Sequence, residues 1–122
     1  MQDPVRICIV GVGQIGKYHL SNYAKIPEAE VVAICDIDVP ELNRVAGLHH
    51  ISATYTDFRE LLKRDDIEAV DVCLHNNLHM PVTVAALQAG KHVYCEKPMA
   101  GAYCDAEMIL RVAHAQGKLL SI

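Results

Sequence analysis

The sequence predicts a doubly wound α/β domain, a parallel sheet of about six strands with helices on both faces. Two observations carry this. Short apolar runs alternate with longer amphipathic stretches along the whole chain, and the runs are apolar at consecutive positions, as expected for strands covered on both faces. The helical stretches also carry their own start and stop residues.

In chain order, strands are expected at Val5 to Val10, Val31 to Cys35, Ala69 to Leu74, His92 to Cys95 and Lys118 to Ile122. A further short strand is expected at Ser52 to Tyr55, where β-favouring Thr54 and Tyr55 stand. The first helix begins near Gln14 and is closed by Pro27. Asp38-Val39-Pro40-Glu41 supplies an N-cap, an early proline and a capping glutamate for the second. Asp57 and Glu60 repeat that spacing ahead of Leu61 and Leu62. A helix from Pro81 to Ala89 stops at Gly90, and one from Ala102 to Gln116 stops at Gly117.

The length of 122 residues suits one domain, and no Gly/Ser linker, repeat or low-complexity tract divides it. A net charge of −4 with scattered bases argues against a nucleic-acid or anionic-membrane partner. There is no apolar run of membrane-spanning length and no signal-peptide pattern at Met1-Gln2-Asp3-Pro4, so the expected location is the cytoplasm. The five cysteines form no C-x-x-C pair, and four of them sit in apolar runs as small hydrophobes. A disulfide framework and a structural metal are therefore not expected. His75 and His79 straddle a loop without a clear third ligand, and His19, His49, His50, His92 and His114 offer no ligand pair on one helix face.

The first strand runs into Gly11-Val12-Gly13-Gln14-Ile15-Gly16, which opens a helix. G-x-G-x-x-G in that context is the fingerprint of a dinucleotide site. Gly11 permits the tight turn, Gly13 leaves space for a pyrophosphate, and Gly16 lets helix and strand pack closely. The N–H groups around Gln14 and Ile15 meet the anion at the positive end of the helix. Asp36, at the end of the second strand, stands at the interval of about twenty residues expected of a carboxylate that accepts ribose hydroxyls. It is followed by Ile37, a further contact, and by no base before Arg44. NAD is therefore favoured over NADP as cofactor. Asp38 reads as a helix cap before it reads as a second ribose contact.

Strand order brings the nicotinamide to the carboxyl ends of the first, fourth and fifth strands. Two polar clusters lie at the latter two: Cys73-Leu74-His75-Asn76-Asn77-Leu78-His79, and Tyr94-Cys95-Glu96-Lys97-Pro98. An amine beside a carboxylate in a partly dry cleft can have its pKa moved and its protons aimed, which suits a hydroxyl or carbonyl substrate.

The run Ala86-Leu87-Gln88-Ala89-Gly90-Lys91-His92-Val93 ahead of Glu96-Lys97-Pro98, with Gly11 to Gly16, Asn76 and His79, resembles the Gfo/Idh/MocA family of oxidoreductases over the whole chain. The resemblance implies an NAD(P)-binding Rossmann domain, residues 1–122, of an enzyme that oxidises or reduces a sugar, inositol or related polyol. It implies that Lys97 is catalytic, lying beside substrate and nicotinamide, that Glu96 borders the nicotinamide pocket and that Pro98 shapes the turn. Two departures stand out. Leu74-His75-Asn76 replaces the family's Thr-Pro-Asn, so that His75 either adds a contact or only alters the turn. The family's C-terminal substrate domain is not in this sequence, which implies a chain that binds cofactor without turnover. A non-catalytic sensor or scaffold module is the rival reading, and Glu96 with Lys97 speaks against it. Homo-oligomers through a bared sheet edge or interdomain face are also expected.

Overall fold

The computed structural model describes residues 3–74, 76–95 and 103–121. Its strands are β1 (Val5–Val10), β2 (Ala29–Cys35), β3 (Ala53–Tyr55), β4 (Ala69–Val72), β5 (His92–Cys95) and β6 (Leu120–Ser121). Its helices are α1 (Gln14–Tyr23), α2 (Val39–His49), α3 (Phe58–Leu61), α4 (Asn76–Gln88) and α5 (Tyr103–Gln116). The strands form one parallel sheet in the order β3-β2-β1-β4-β5-β6. This is the predicted doubly wound sheet, and its winding reverses between β1 and β4.

Alternate residues of a strand face opposite ways, and the two faces carry separate cores. Cys8, Val10, Val70, Val72, Val93 and Cys95 pack with Leu61, Val82, Ala86, Leu87 and Ile109 from α3, α4 and α5. Ile9 and Ile34 pack on the other face with Leu20 of α1 and with Leu42 and Val45 of α2. Both cores being apolar explains why these strands read as unbroken hydrophobic runs. Burial raises the Cys8 thiol far above its ordinary range and pushes Cys35 up to about 12, so both behave as inert small hydrophobes.

The predicted caps of α2 and α3 are present. Asp38 accepts the Glu41 N–H at 3.3 Å, and Asp57 accepts the Arg59 N–H at 3.0 Å, one residue nearer than the capping-box spacing implied. Several boundaries differ from expectation, including the start of β6, at Leu120 rather than Lys118. Helix α1 ends at Tyr23, because Lys25 and Ile26 donate to Asn22 and Tyr23 in tight turns before Pro27 is reached. Strand β2 starts two residues early, at Ala29. Strand β4 ends at Val72, not Leu74: Cys73 still donates to Val10 at 2.8 Å, and Leu74 then bends away. Helix α4 begins at Asn76, so Pro81 lies inside it. A proline there removes one i→i−4 bond early in the helix, a loss that the packing of Val82, Ala86 and Leu87 offsets. No helix of the described residues is long and apolar enough to cross a membrane.

Helix α2 has a stop that the sequence does not advertise. His50 adopts φ 57° and ψ 41°, and its N–H, with that of Ile51, returns to Ala46 O. A left-handed residue at this position is ordinarily glycine, since a Cβ there costs about 1–2 kcal/mol. His50→Gly is expected to stabilise the fold by up to about 1 kcal/mol, after the added freedom of the unfolded chain is offset, as read by urea denaturation.

Candidate dinucleotide site

The glycine turn connects β1 to α1 at the point where the sheet reverses its winding, which is where α/β sheets open a ligand crevice. Gly11 has φ 99° and donates to Cys35 O at 2.8 Å. A Cβ on Gly11 would sit 2.4 Å from Cys73 O, and one on Gly16 would sit 1.9 Å from Gly11 O. Both glycines are therefore required by contact with backbone. Gly13 is the opposite case, with no atom within 4 Å of a Cβ position and with ordinary extended backbone. Its freedom leaves room outside the turn rather than inside the fold. Gln14 and Ile15 are exposed beside it, α1 has no acidic residue in its first turn, and the first N–H groups of a helix lack intrahelical acceptors. An anion fits that position.

Asp36 follows β2 and is tied to the same turn. Its Oδ2 accepts the Val12 N–H at 2.8 Å, and its Oδ1 accepts the Asp38 N–H at 2.9 Å. Each oxygen keeps a lone pair for a further donor. Asp38 is the cap of α2, as its sequence context indicates. Beside Asp36 lies a cavity of about 250 Å³ lined by Val10, Cys35, Ile37, Thr56, Phe58, Leu74 and Val82. Its walls are largely apolar, which suits a flat aromatic base. The sequence reading placed Asp36, Ile37 and Leu74 at this site but missed Thr56, Phe58 and Val82. Thr56 and Phe58 could have been found from their place just after the strand that pairs with β2. Clefts of about 300 and 410 Å³ lie instead at the amino ends of the strands, away from the turn.

Glu41 reaches two bases near the turn. Lys17 Nζ lies 2.7 Å from its carboxylate and an Arg44 guanidinium nitrogen 2.5 Å from it. Hydrogen bonds from Arg44 and Lys17 hold the Glu41 carboxyl down at about 2, well below the usual range.

Of the remaining predicted site residues, Asn76 and His79 fall within α4 rather than on a loop. His75, Glu96, Lys97 and Pro98 lie outside the described residues.

A second polar cluster escaped the sequence reading. Asp71 is 1 % exposed and accepts from His19 Nδ1 at 2.7 Å, Tyr23 Oη at 2.7 Å and Cys73 Sγ at 3.2 Å. His19 also stacks on Tyr94, with ring centroids 5.5 Å apart. Burial, then the Asp71 charge, raises the Tyr23 hydroxyl far above the ordinary phenol range and keeps it a donor.

The comparison with known proteins agrees with this geometry. A family model described as the oxidoreductase family with an NAD-binding Rossmann fold matches residues 5–122. The chain belongs to the Gfo/Idh/MocA family. An inositol 2-dehydrogenase of Salmonella typhimurium is 38% identical over 112 residues, covering 90% of this chain and 33% of that protein. Among solved structures, the WlbA dehydrogenase from Bordetella pertussis in complex with NADH and UDP-GlcNAcA aligns at TM-score 0.91 and 27% identity, covering 96% of this chain and 36% of that one. Biliverdin reductase from Synechocystis, in complex with biliverdin and NADP+, aligns at TM-score 0.91 and 28% identity, covering 97% and 37%. The chain thus spans about one third of the length of the Gfo/Idh/MocA relatives it matches. It has the fold and the glycine turn of a dinucleotide-binding domain in this family.

The two glycines of the turn separate stability from binding. Gly11→Ala is expected to destabilise by about 1–3 kcal/mol from its backbone alone, with the Cys73 contact adding to that. Gly13→Ala should leave the melting temperature within a degree or two of the parent, since the backbone is compatible and the space open, yet weaken NADH binding by about tenfold or more. Thermal denaturation and fluorescence titration of both variants read the two effects.

Proposed function

We propose that the chain binds NAD in preference to NADP and is the cofactor-binding part of an oxidoreductase acting on a sugar, inositol or related polyol. The observation that carries the cofactor preference is the fixed Asp36 carboxylate. With one lone pair of each oxygen held by a backbone N–H, its remaining lone pairs can accept the two hydroxyls of the adenosine ribose. A 2′-phosphate there would face that carboxylate. Lys17 and Arg44, bases on α1 and α2 that could offset the repulsion, are already shared by Glu41.

In this reading the pyrophosphate lies on the exposed N–H groups beside Gly13, and the apolar cavity next to Asp36 takes the adenine. The nicotinamide, when bound, supplies or accepts a hydride at C4. Lys97 handles the proton on the reacting oxygen, Glu96, Asn76 and His79 border the nicotinamide, and His75, where the chain departs from the family, either adds a contact or only alters the turn. These roles rest on the family resemblance. The substrate class rests on the inositol and sugar-nucleotide dehydrogenases among the relatives. Because the chain corresponds to about a third of those proteins, the second wall of a substrate pocket is expected from elsewhere. The chain by itself is expected to bind cofactor without turnover.

Calorimetric titration with NADH and with NADPH tests the reading. The parent should bind NADH tightly and NADPH at least about tenfold more weakly. Asp36→Ala should weaken NADH and close most of that gap, and adding Glu41→Gln, which releases Lys17 and Arg44, should favour NADPH further. Equal affinity of the parent for both nucleotides would remove Asp36 as the discriminating residue.

A further inference from the structure

We propose that His19, Asp71 and Cys73 form a binding site for a divalent transition-metal ion of the zinc class. The three side chains come from α1, β4 and the residue just after β4, and their ligand atoms all lie within 4.8 Å of one another. The cluster is not an acidic patch. It combines an imidazole nitrogen, a carboxylate and a thiol, the mixed donor set that suits a borderline ion rather than magnesium or calcium.

Hydrogen bonding explains part of the arrangement. A proton on Nδ1 serves Asp71 Oδ2, and the thiol proton serves Oδ1. Yet Cys73 Sγ also lies 3.3 Å from that same Nδ1, and these two protons already point into the carboxylate. A nucleophilic relay is ruled out by the same fact, since thiol and carboxylate would need opposite nitrogens of the ring. Sulfur, carboxylate oxygen and imidazole nitrogen within 4.8 Å of one another are instead spaced as the donors of a metal tripod can be.

The distances fit. A tetrahedral ion with ligands at about 2.0–2.3 Å holds its donor atoms roughly 3.3–3.8 Å apart. Sγ is 3.2 Å from Asp71 Oδ1 and 3.3 Å from Nδ1, while Nδ1 meets the other carboxylate oxygen, Oδ2, at 2.7 Å, so the carboxylate has to turn and the His19 contact to open before one oxygen serves the ion. The ion would displace the Cys73 thiol proton to solvent, while the His19 proton moves from Nδ1 to Nε2 so that Nδ1 is free to ligate. Tyr23 Oη, bonded to Asp71 Oδ2, is the outer partner that orients the ligating carboxylate. A cavity of about 270 Å³, lined by Tyr18, His19, Asn22, Tyr23, Ile26 and Tyr94, opens on the His19 side of the cluster. Three protein ligands are the number seen in exchangeable rather than purely structural sites.

Cobalt(II) titration of the reduced chain is the test. One equivalent should bind with the intense visible bands of a tetrahedral ion and a near-ultraviolet thiolate-to-cobalt band, and zinc should displace it. Cys73→Ser should abolish the thiolate band and weaken binding by more than the roughly 10- to 100-fold that loss of an outer partner costs, and Tyr23→Phe should fall inside that range. Cys104→Ser should retain the full spectrum. Circular dichroism melts of each variant separate lost binding from lost fold. The proposal is overturned if the folded parent shows no thiolate band, if Cys73→Ser binds as the parent does, or if Cys104→Ser loses the band instead. The first of these outcomes would make the cluster a hydrogen-bonded anchor between α1 and β4.

Discussion

The contact between the glycine turn and the end of β4 is the constraint from which the rest of the site follows. Gly11 approaches Cys73 O so closely that a Cβ would stand 2.4 Å from it, and Gly16 approaches Gly11 O still more closely. With those side chains absent, α1 sits directly over the β1–β4 junction. Val12 N–H is then delivered to Asp36, and the first turn of α1 points its free N–H groups outward beside Gly13. The same approach sets Cys73 against α1, which brings its thiol to His19. One steric fact thus brings the exposed N–H groups of α1, the Asp36 carboxylate and the His19–Asp71–Cys73 cluster together.

Most of the fold is legible in the sequence because both faces of the sheet are covered. Strands such as Ile7-Cys8-Ile9-Val10 and Val70-Asp71-Val72 need apolar side chains on two sides, so they stand out against the amphipathic helices between them. The failures are local and have physical causes. Pro81 looks like a helix start because proline prefers the first turn, but α4 holds enough buried surface beyond it to extend five residues upstream. His50 gives no sign of a helix stop because histidine seldom takes the left-handed region. The turn at Leu74 is fixed by the neighbouring glycine loop, with Leu74 Cδ2 lying 2.9 Å from the position a Gly11 Cβ would take. No local pattern encodes that.

The dinucleotide site divides in the same way. Gly11, Gly13, Gly16 and Asp36 are recognisable because they act within a single strand-turn-helix-strand unit, where spacing along the chain stands in for position in space. Thr56 and Phe58 join the site only through the pairing of β3 with β2, and Val82 comes from α4, where nothing in its own neighbourhood marks it. The His19–Asp71–Cys73 cluster is hidden for a further reason. Searching each helix face for paired ligands cannot find a set assembled from a helix and a strand end. A signal was nevertheless present: an aspartate between Val70 and Val72, inside a strand buried on both faces, requires several donors to offset its desolvation. Asking where those donors are leads to His19, Tyr23 and Cys73.

The proposed preference for NAD depends on where charge is placed as well as on which residues would touch the ribose. An aspartate at the end of β2 sets a negative field, but a nearby base could neutralise it and admit a phosphate. Here Lys17 and Arg44 are present in the right region and are both committed to Glu41, whose carboxyl is held at about 2 by them and so remains charged at any physiological pH. These pairs are solvent-exposed and add little to stability. Their effect is instead on binding, since a 2′-phosphate would have to draw either base away from an existing partner while approaching Asp36. On the proposed preference for NAD, discrimination would arise from the pair Asp36 and Glu41, one acting by direct contact and the other by occupying the cations that would reverse it.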